Sequence, residues 1–145
     1  MDIEDINKMW AADSQIDTTN LINESTNIPK LHNKYYMLYV KESLRTKKLK
    51  SELTELEKAK TEYYNGSMDE IDLRQRGWKP NPLKILRQDI DRYVESDGEI
   101  IKLCLLIAYH DAATKYLEDI VKQLNNRNYI IKNIIDYMKF TSGSG

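Results

Sequence analysis

Few residues in this chain have the type and spacing that chemistry needs. The one thiol, Cys104, lies six residues before His110. On a helix the two side chains point about 120° apart, so the imidazole cannot serve the thiol as a base. They read as a packed thiol and a hydrogen-bonded imidazole. Asp89 and Asp91 diverge by about 160° at helical pitch and form no carboxylate pair. His32, His110 and Cys104 are too few and too scattered for a zinc set, and neither glycine pattern of a nucleotide-phosphate loop occurs. No catalytic residue, metal or cofactor is expected. What remains is "LEKAKTEYYNG", residues 56 to 66, in which Lys58 and Lys60 precede Tyr63 and Tyr64. Lysines neutralise phosphates, and aromatic faces stack on bases without reading their edges, which is how sequence-independent single-strand binders work. The same residues also suit a solvated helix end with one core tyrosine. Spacing alone leaves both readings open.

The element that carries this stretch is a long helix starting at Pro29. Leu31, Tyr35, Leu38, Leu49, Leu53, Leu56 and Tyr63 fall within about 80° of one another on a helical wheel, one apolar stripe interrupted by Glu42 and Arg45. A stripe this long needs a partner helix. Lys47, Lys50 and Lys58 share the opposite face over about 80° and form a basic ridge, with Thr54 among them. Lys60 projects from the stripe side, about 160° from Lys58, where it can snorkel at the helix end. Tyr63 continues the stripe and Tyr64 turns away from it, which makes Tyr64 the tyrosine available for stacking.

Before Pro29 the chain predicts a short helix over 3–11 and irregular structure with a helical stretch near 18–26, because Asp, Asn, Ser and Thr compete for the backbone there. Glycine and proline cluster at 65 to 98, so residues 65–82 read as a connection anchored by Trp78, between an N-terminal arm (1–64) and C-terminal helices (83–145). Leu83, Leu86, Ile90 and Val94 predict a helix directly after Pro82. Ser96 and Glu99 form a Ser-x-x-Glu capping box that opens the next one, near 97–125. That helix, apolar on most sides from Ile100 to Tyr109, is the candidate central core helix. "NNRN" at 125 to 128 predicts a break, then a last amphipathic helix through Ile130, Ile131, Ile134, Ile135 and Met138, and "TSGSG" a frayed tail. The fold class is all-α, a long helical arm plus a C-terminal helical hairpin.

The 145 residues suit one domain with a small core, to which assembly would add. Charge is segregated. Residues 1–27 carry six acidic side chains against Lys8 alone, while residues 30–60 carry nine basic side chains against four glutamates. Such blocks suit a polyanion partner, or pairing between acidic and basic parts of neighbouring subunits. A lone cysteine and an acidic start predict a reducing, cytoplasmic setting, and no apolar run is long enough to span a bilayer.

Three stretches, "MWAADSQIDTTNLINESTNIPKLHNKYY", "KAKTEYYNG" and "YLEDIVKQLNNRNYIIKNIIDYMKF", recur in order and give the sequence a full-length resemblance to the UvsY-type recombination mediators of T4-like bacteriophages. The resemblance implies a non-enzymatic protein of the infected bacterial host's cytoplasm that binds single-stranded DNA. It also implies a ring-like homo-hexamer or heptamer that helps a RecA-like phage recombinase replace single-strand binding protein on DNA. In the family a basic pair just before the Tyr-Tyr-x-Gly turn contributes to DNA binding, and here that pair is Lys58 and Lys60. A lysine at the second position lacks arginine's planar fork. The expected DNA contacts are therefore Lys58, Lys60, Lys47, Lys50 and Tyr64. Oligomer formation is assigned to the C-terminal helices, hence to Ile130, Ile131, Ile134, Ile135 and Met138. The rival reading is a helical scaffold or adaptor whose basic arm pairs with acidic protein surfaces.

Overall fold

The computed structural model describes residues 1–81 and 83–143. Pro82, the end of the expected connection, and the last two residues of the expected tail lie outside them. The described residues form an all-α fold without strands: α1 (Ile3–Asp13), α2 (Leu21–Thr26), α3 (Ile28–Tyr64), α4 (Glu70–Arg76), a 3-10 turn (Arg87–Asp89), α5 (Ile90–Glu95) and α6 (Gly98–Thr141). Among them no helix is long and apolar enough to cross a membrane. The chain divides into one unit of residues Met1–Ser43 and Asp111–Gly145 and another of Leu44–His110, so α3 and α6 each contribute to both.

In the first unit, Ile6 from α1, Leu31 and Tyr35 from α3, and Leu117, Ile120 and Leu124 from α6 form the core, with Trp10 and Leu38 packed against it. A polar hub ties the same helices together. The Asp13 carboxylate accepts from Lys34 Nζ at 2.6 Å and Tyr35 OH at 2.7 Å, and the Asp13 carbonyl accepts from Arg127 at 2.7 Å. Acidic N-terminus and basic arm thus meet at least once within a single chain. Burial pushes the Asp13 carboxyl up, but the Lys34 and Tyr35 hydrogen bonds and the Lys34 charge outweigh it and leave the group below its ordinary range.

In the second unit, Leu49 and Ala59 of α3, Val94 of α5, and Ile100 and Ile107 of α6 are buried. The turns on either side of α4 are closed by glycines. Gly66 (φ 81°) and Gly77 (φ 70°) take the left-handed conformation that ends a helix. After each glycine the next N–H reaches back to a carbonyl of the preceding helix, Ser67 to Glu62 at 3.1 Å and Trp78 to Leu73 at 3.0 Å.

Four expectations change. The connection contains a helix, α4, because Asp69 accepts from the Asp72 N–H at 2.8 Å and so caps it. No helix runs from Leu83, since Leu83 and Leu86 stay about 60% exposed and offer no buried face to stabilise one. Along the stretch expected to be a central core, Ile101, Leu105, Leu106 and Tyr109 are exposed, and α6 buries one face only. Finally, "NNRN" makes no break: α6 runs 44 residues without interruption. Leu124, Arg127 and Ile131 are all buried at helical spacing across it, so packing overrides the weak helix preference of the asparagines.

That continuity yields a test. Asn125 and Asn126 are exposed within α6, so replacing both by alanine should stabilise the protein by about 1 kcal/mol in total, from helix propensity alone. A rise in the thermal midpoint by circular dichroism checks it; a fall would mean that the asparagines hold a turn.

Candidate nucleic-acid interface

The end of α3 is organised by one carboxylate. Asp97 precedes α6, and its Oδ1 accepts from the N–H groups of Glu99 at 2.9 Å and Ile100 at 3.3 Å, so it caps the helix. Its Oδ2 accepts from Tyr64 OH at 2.6 Å and pairs with Lys60 Nζ at 3.0 Å. Asp97 therefore does what the sequence assigns to Ser96, whose hydroxyl instead donates to the Arg92 carbonyl at 2.8 Å. Asp is as good a cap as Ser, and Asp97 stands one residue nearer the helix. Burial acts to raise the Asp97 carboxyl, but hydrogen bonds from Tyr64, Lys60 and the Ile100 N–H hold it below its ordinary value. Burial and the adjacent carboxylate push the Tyr64 hydroxyl well above the usual tyrosine range.

Lys60 is 5% exposed. Its ammonium lies 3.8 Å from Glu99 Oε2 and 3.9 Å from the centre of the Trp78 ring, a cation on an aromatic face. Trp78 is held in turn: its Nε1 donates to Glu99 Oε1 at 3.2 Å, its ring meets Tyr63 edge-on at 5.4 Å, and the Arg76 guanidinium lies 5.0 Å from its ring centre. Tyr63 OH donates to the Lys79 carbonyl at 2.6 Å. The expected anchoring role of Trp78 fits this cluster.

The residues expected to contact DNA thus fall into two sets. Lys47, Lys50 and Lys58 are exposed on the α3 face away from the buried stripe. Lys60 and Tyr64 turn inward onto Asp97, Tyr64 lying against Tyr63 and Tyr93 as well. Lysine burial at position 60 follows from its place in the apolar stripe, where a carboxylate and an indole replace the water that snorkelling would have kept. Lys58 borders a groove of about 270 Å³ lined also by Glu55, Ala59, Glu62 and Arg76. Sequence reasoning missed Asp97 and Arg76. The Asp-Gly-Glu run at 97–99 carries a capping signal that could have exposed the first; nothing local marks the second.

Of the residues expected to drive assembly, Ile131 is buried within its own unit, Ile134 is half-buried, and Ile130, Ile135 and Met138 are exposed. Tyr137 and Phe140 extend this exposed apolar surface. Thr18, Ile130, Asn133, Ile134, Tyr137 and Met138 line an open, mainly apolar groove of about 500 Å³. Among the described residues no cluster of His, Cys, Asp or Glu could hold a metal ion, and Cys104 is exposed rather than packed.

The family model described as "Recombination, repair and ssDNA binding protein UvsY" matches residues 9–144. The chain belongs to the UvsY family. Its fold is that of the bacteriophage T4 recombination mediator protein UvsY. One crystal form of that protein aligns with a TM-score of 0.84 at 20% identity over 98% of both chains. Another aligns at 0.80 and 20%, over 97% of this chain and 99% of that one, and a third at 0.81 and 19%, over 94% and 98%. Comparison with curated proteins gives no match. Family membership thus supports single-stranded DNA binding by the chain as a whole.

The Asp97 hub makes a pH-dependent prediction. Its carboxyl titrates lower when folded than its ordinary value of 3.8, so its contribution to stability is complete above about pH 4 and is lost as pH falls through the folded value. Asp97→Asn removes the nearer of the two carboxylates beside the buried Lys60, leaving only Glu99 at 3.8 Å, and should cost about 3 kcal/mol at neutral pH, with a shallower loss on acidification than the wild type. Denaturant unfolding followed by tryptophan fluorescence at pH 7 and pH 3 checks both effects.

Proposed function

We propose that this chain is a non-enzymatic mediator of recombination that binds single-stranded DNA and helps a RecA-like recombinase displace single-strand binding protein from it. The observation that carries the reading is the family match over residues 9–144, in a chain whose longest arm helix exposes Lys47, Lys50 and Lys58 on one face. Such a ridge attracts the phosphate backbone and makes no demand on base sequence. Affinity then falls steeply with salt, and each lysine–phosphate pair is weak by itself. Weak pairs that open one at a time suit a mediator, whose strand must pass to another protein.

Strength comes from number. Subunits joined through the exposed apolar surface of the last turns of α6 would present many basic ridges to one strand, and linked weak sites gain through effective concentration. A ring-like homo-hexamer or heptamer is the form that meets this need.

In fluorescence anisotropy with labelled oligo-dT, Lys58→Ala should weaken binding and flatten the plot of log affinity against log salt by roughly 0.7 for each phosphate no longer neutralised in a bound subunit. Oligomer size should stay the same, mixed-sequence single strands should bind like oligo-dT, and duplex should bind less well. Absence of binding to oligo-dT at low salt would leave the adaptor reading.

Assembly has its own test. Ile130→Glu combined with Met138→Glu places charge on the exposed face of α6 without touching the buried Ile131. The variant should run as a smaller species by mass photometry and bind oligo-dT at least about tenfold more weakly, as expected when linked sites are separated. A variant of full size would remove this face from the interface.

A further inference from the structure

With Lys60 turned inward, the motif leaves one exposed lysine, Lys58, at the arm's end. We infer that Arg76 of α4 supplies the second cation, so that a backbone phosphate of single-stranded DNA is held between α3 and α4 by Lys58 and Arg76. The inference rests on the single-strand-binding reading above and names the residues that serve it.

Lys58 and Arg76 line the same groove, and both are exposed. Neither forms an ion pair among the described residues, although Glu55 and Glu62 line the groove with them. The two carboxylates keep the empty groove close to neutral. A phosphate entering it meets cations that no carboxylate holds, and the nearby glutamates keep the grip weak enough to release. Arginine suits this place because its planar fork gives a phosphate two parallel hydrogen bonds, where a lysine gives a point charge.

Arg76 is also held in position. It is the last residue of α4, directly before the left-handed Gly77, whose N–H bonds the Arg74 carbonyl at 3.2 Å while Trp78 N–H bonds Leu73 at 3.0 Å. That closed turn sets the Trp78 ring beneath the Arg76 guanidinium at 5.0 Å, and the buried Lys60 ammonium lies 3.9 Å from the centre of the same ring. An arginine stacked on a fixed indole loses less freedom on binding than one waving in solvent. The same indole thus meets both cations, the buried Lys60 and the exposed Arg76.

The test compares Lys58→Ala, Arg76→Ala and Arg76→Lys by anisotropy with labelled oligo-dT across a salt series, with circular dichroism and sizing of each protein. Arg76→Ala should flatten the salt dependence as much as Lys58→Ala does, by roughly 0.7 for each phosphate no longer neutralised in a bound subunit, with fold and oligomer intact. Arg76→Lys should keep the wild-type slope and weaken affinity about threefold or more, since charge is retained and the fork is not. A wild-type slope and affinity in Arg76→Ala, beside a flattened slope in Lys58→Ala, overturns the role of Arg76 and leaves single-strand binding standing. A wild-type protein that fails to bind oligo-dT overturns both.

Discussion

Taking an ammonium group out of water costs several kcal/mol unless a carboxylate and further partners replace its hydration. At the end of α3 these partners come from distant parts of the sequence: Asp97 supplies the charge, Glu99 lies behind it, and the Trp78 ring covers the ammonium. The arrangement of the second unit around the tyrosine turn depends on that exchange. Asp97 can cap α6 and receive α3 together because its two oxygens divide the work. Loss of the carboxylate would therefore loosen the start of one helix and the end of another at once.

The same chemistry recurs in the first unit. Asp13 accepts from Lys34 and Tyr35 there as Asp97 accepts from Lys60 and Tyr64, and in each case α3 provides both donors. Each hub holds its carboxyl low and its tyrosine high. Both carboxylates release their partners only in acid, so both units should lose hub stability in the same range below about pH 4. Segregated charge along the chain is thus used at least partly inside the fold, while Lys47 and Lys58 stay exposed to solvent.

Much of this was legible in the sequence because it follows from helical periodicity. The stripe from Leu31 to Tyr63 marked α3 with its buried face, and it placed Lys60 on the inner side and Lys58 on the outer. The wheel could not say whether Lys60 would snorkel to solvent or be enclosed, since that depends on Trp78 and Asp97, far along the chain. Capping was readable in type but shifted by a residue, from Ser96 to Asp97. "NNRN" misled because asparagine favours turns locally, while Leu124, Arg127 and Ile131 are buried together only when the helix continues. Arg76 lay beyond reach for a simpler reason. Its neighbourhood with Lys58 is made by the Gly66 turn between α3 and α4, and no pattern in sequence pairs those residues.

The central claim is that the two lysines of one motif have opposite fates, Lys58 facing solvent and DNA, Lys60 shut inside by Asp97 and Trp78. Amine-reactive labelling of the native protein, read by mass spectrometry with and without oligo-dT, measures this directly. Lys58 should label quickly in the free protein and be protected by oligo-dT, while Lys60 stays unreactive in both states. Rapid labelling of Lys60 that oligo-dT suppresses would contradict the account, for it would put the buried lysine on the DNA.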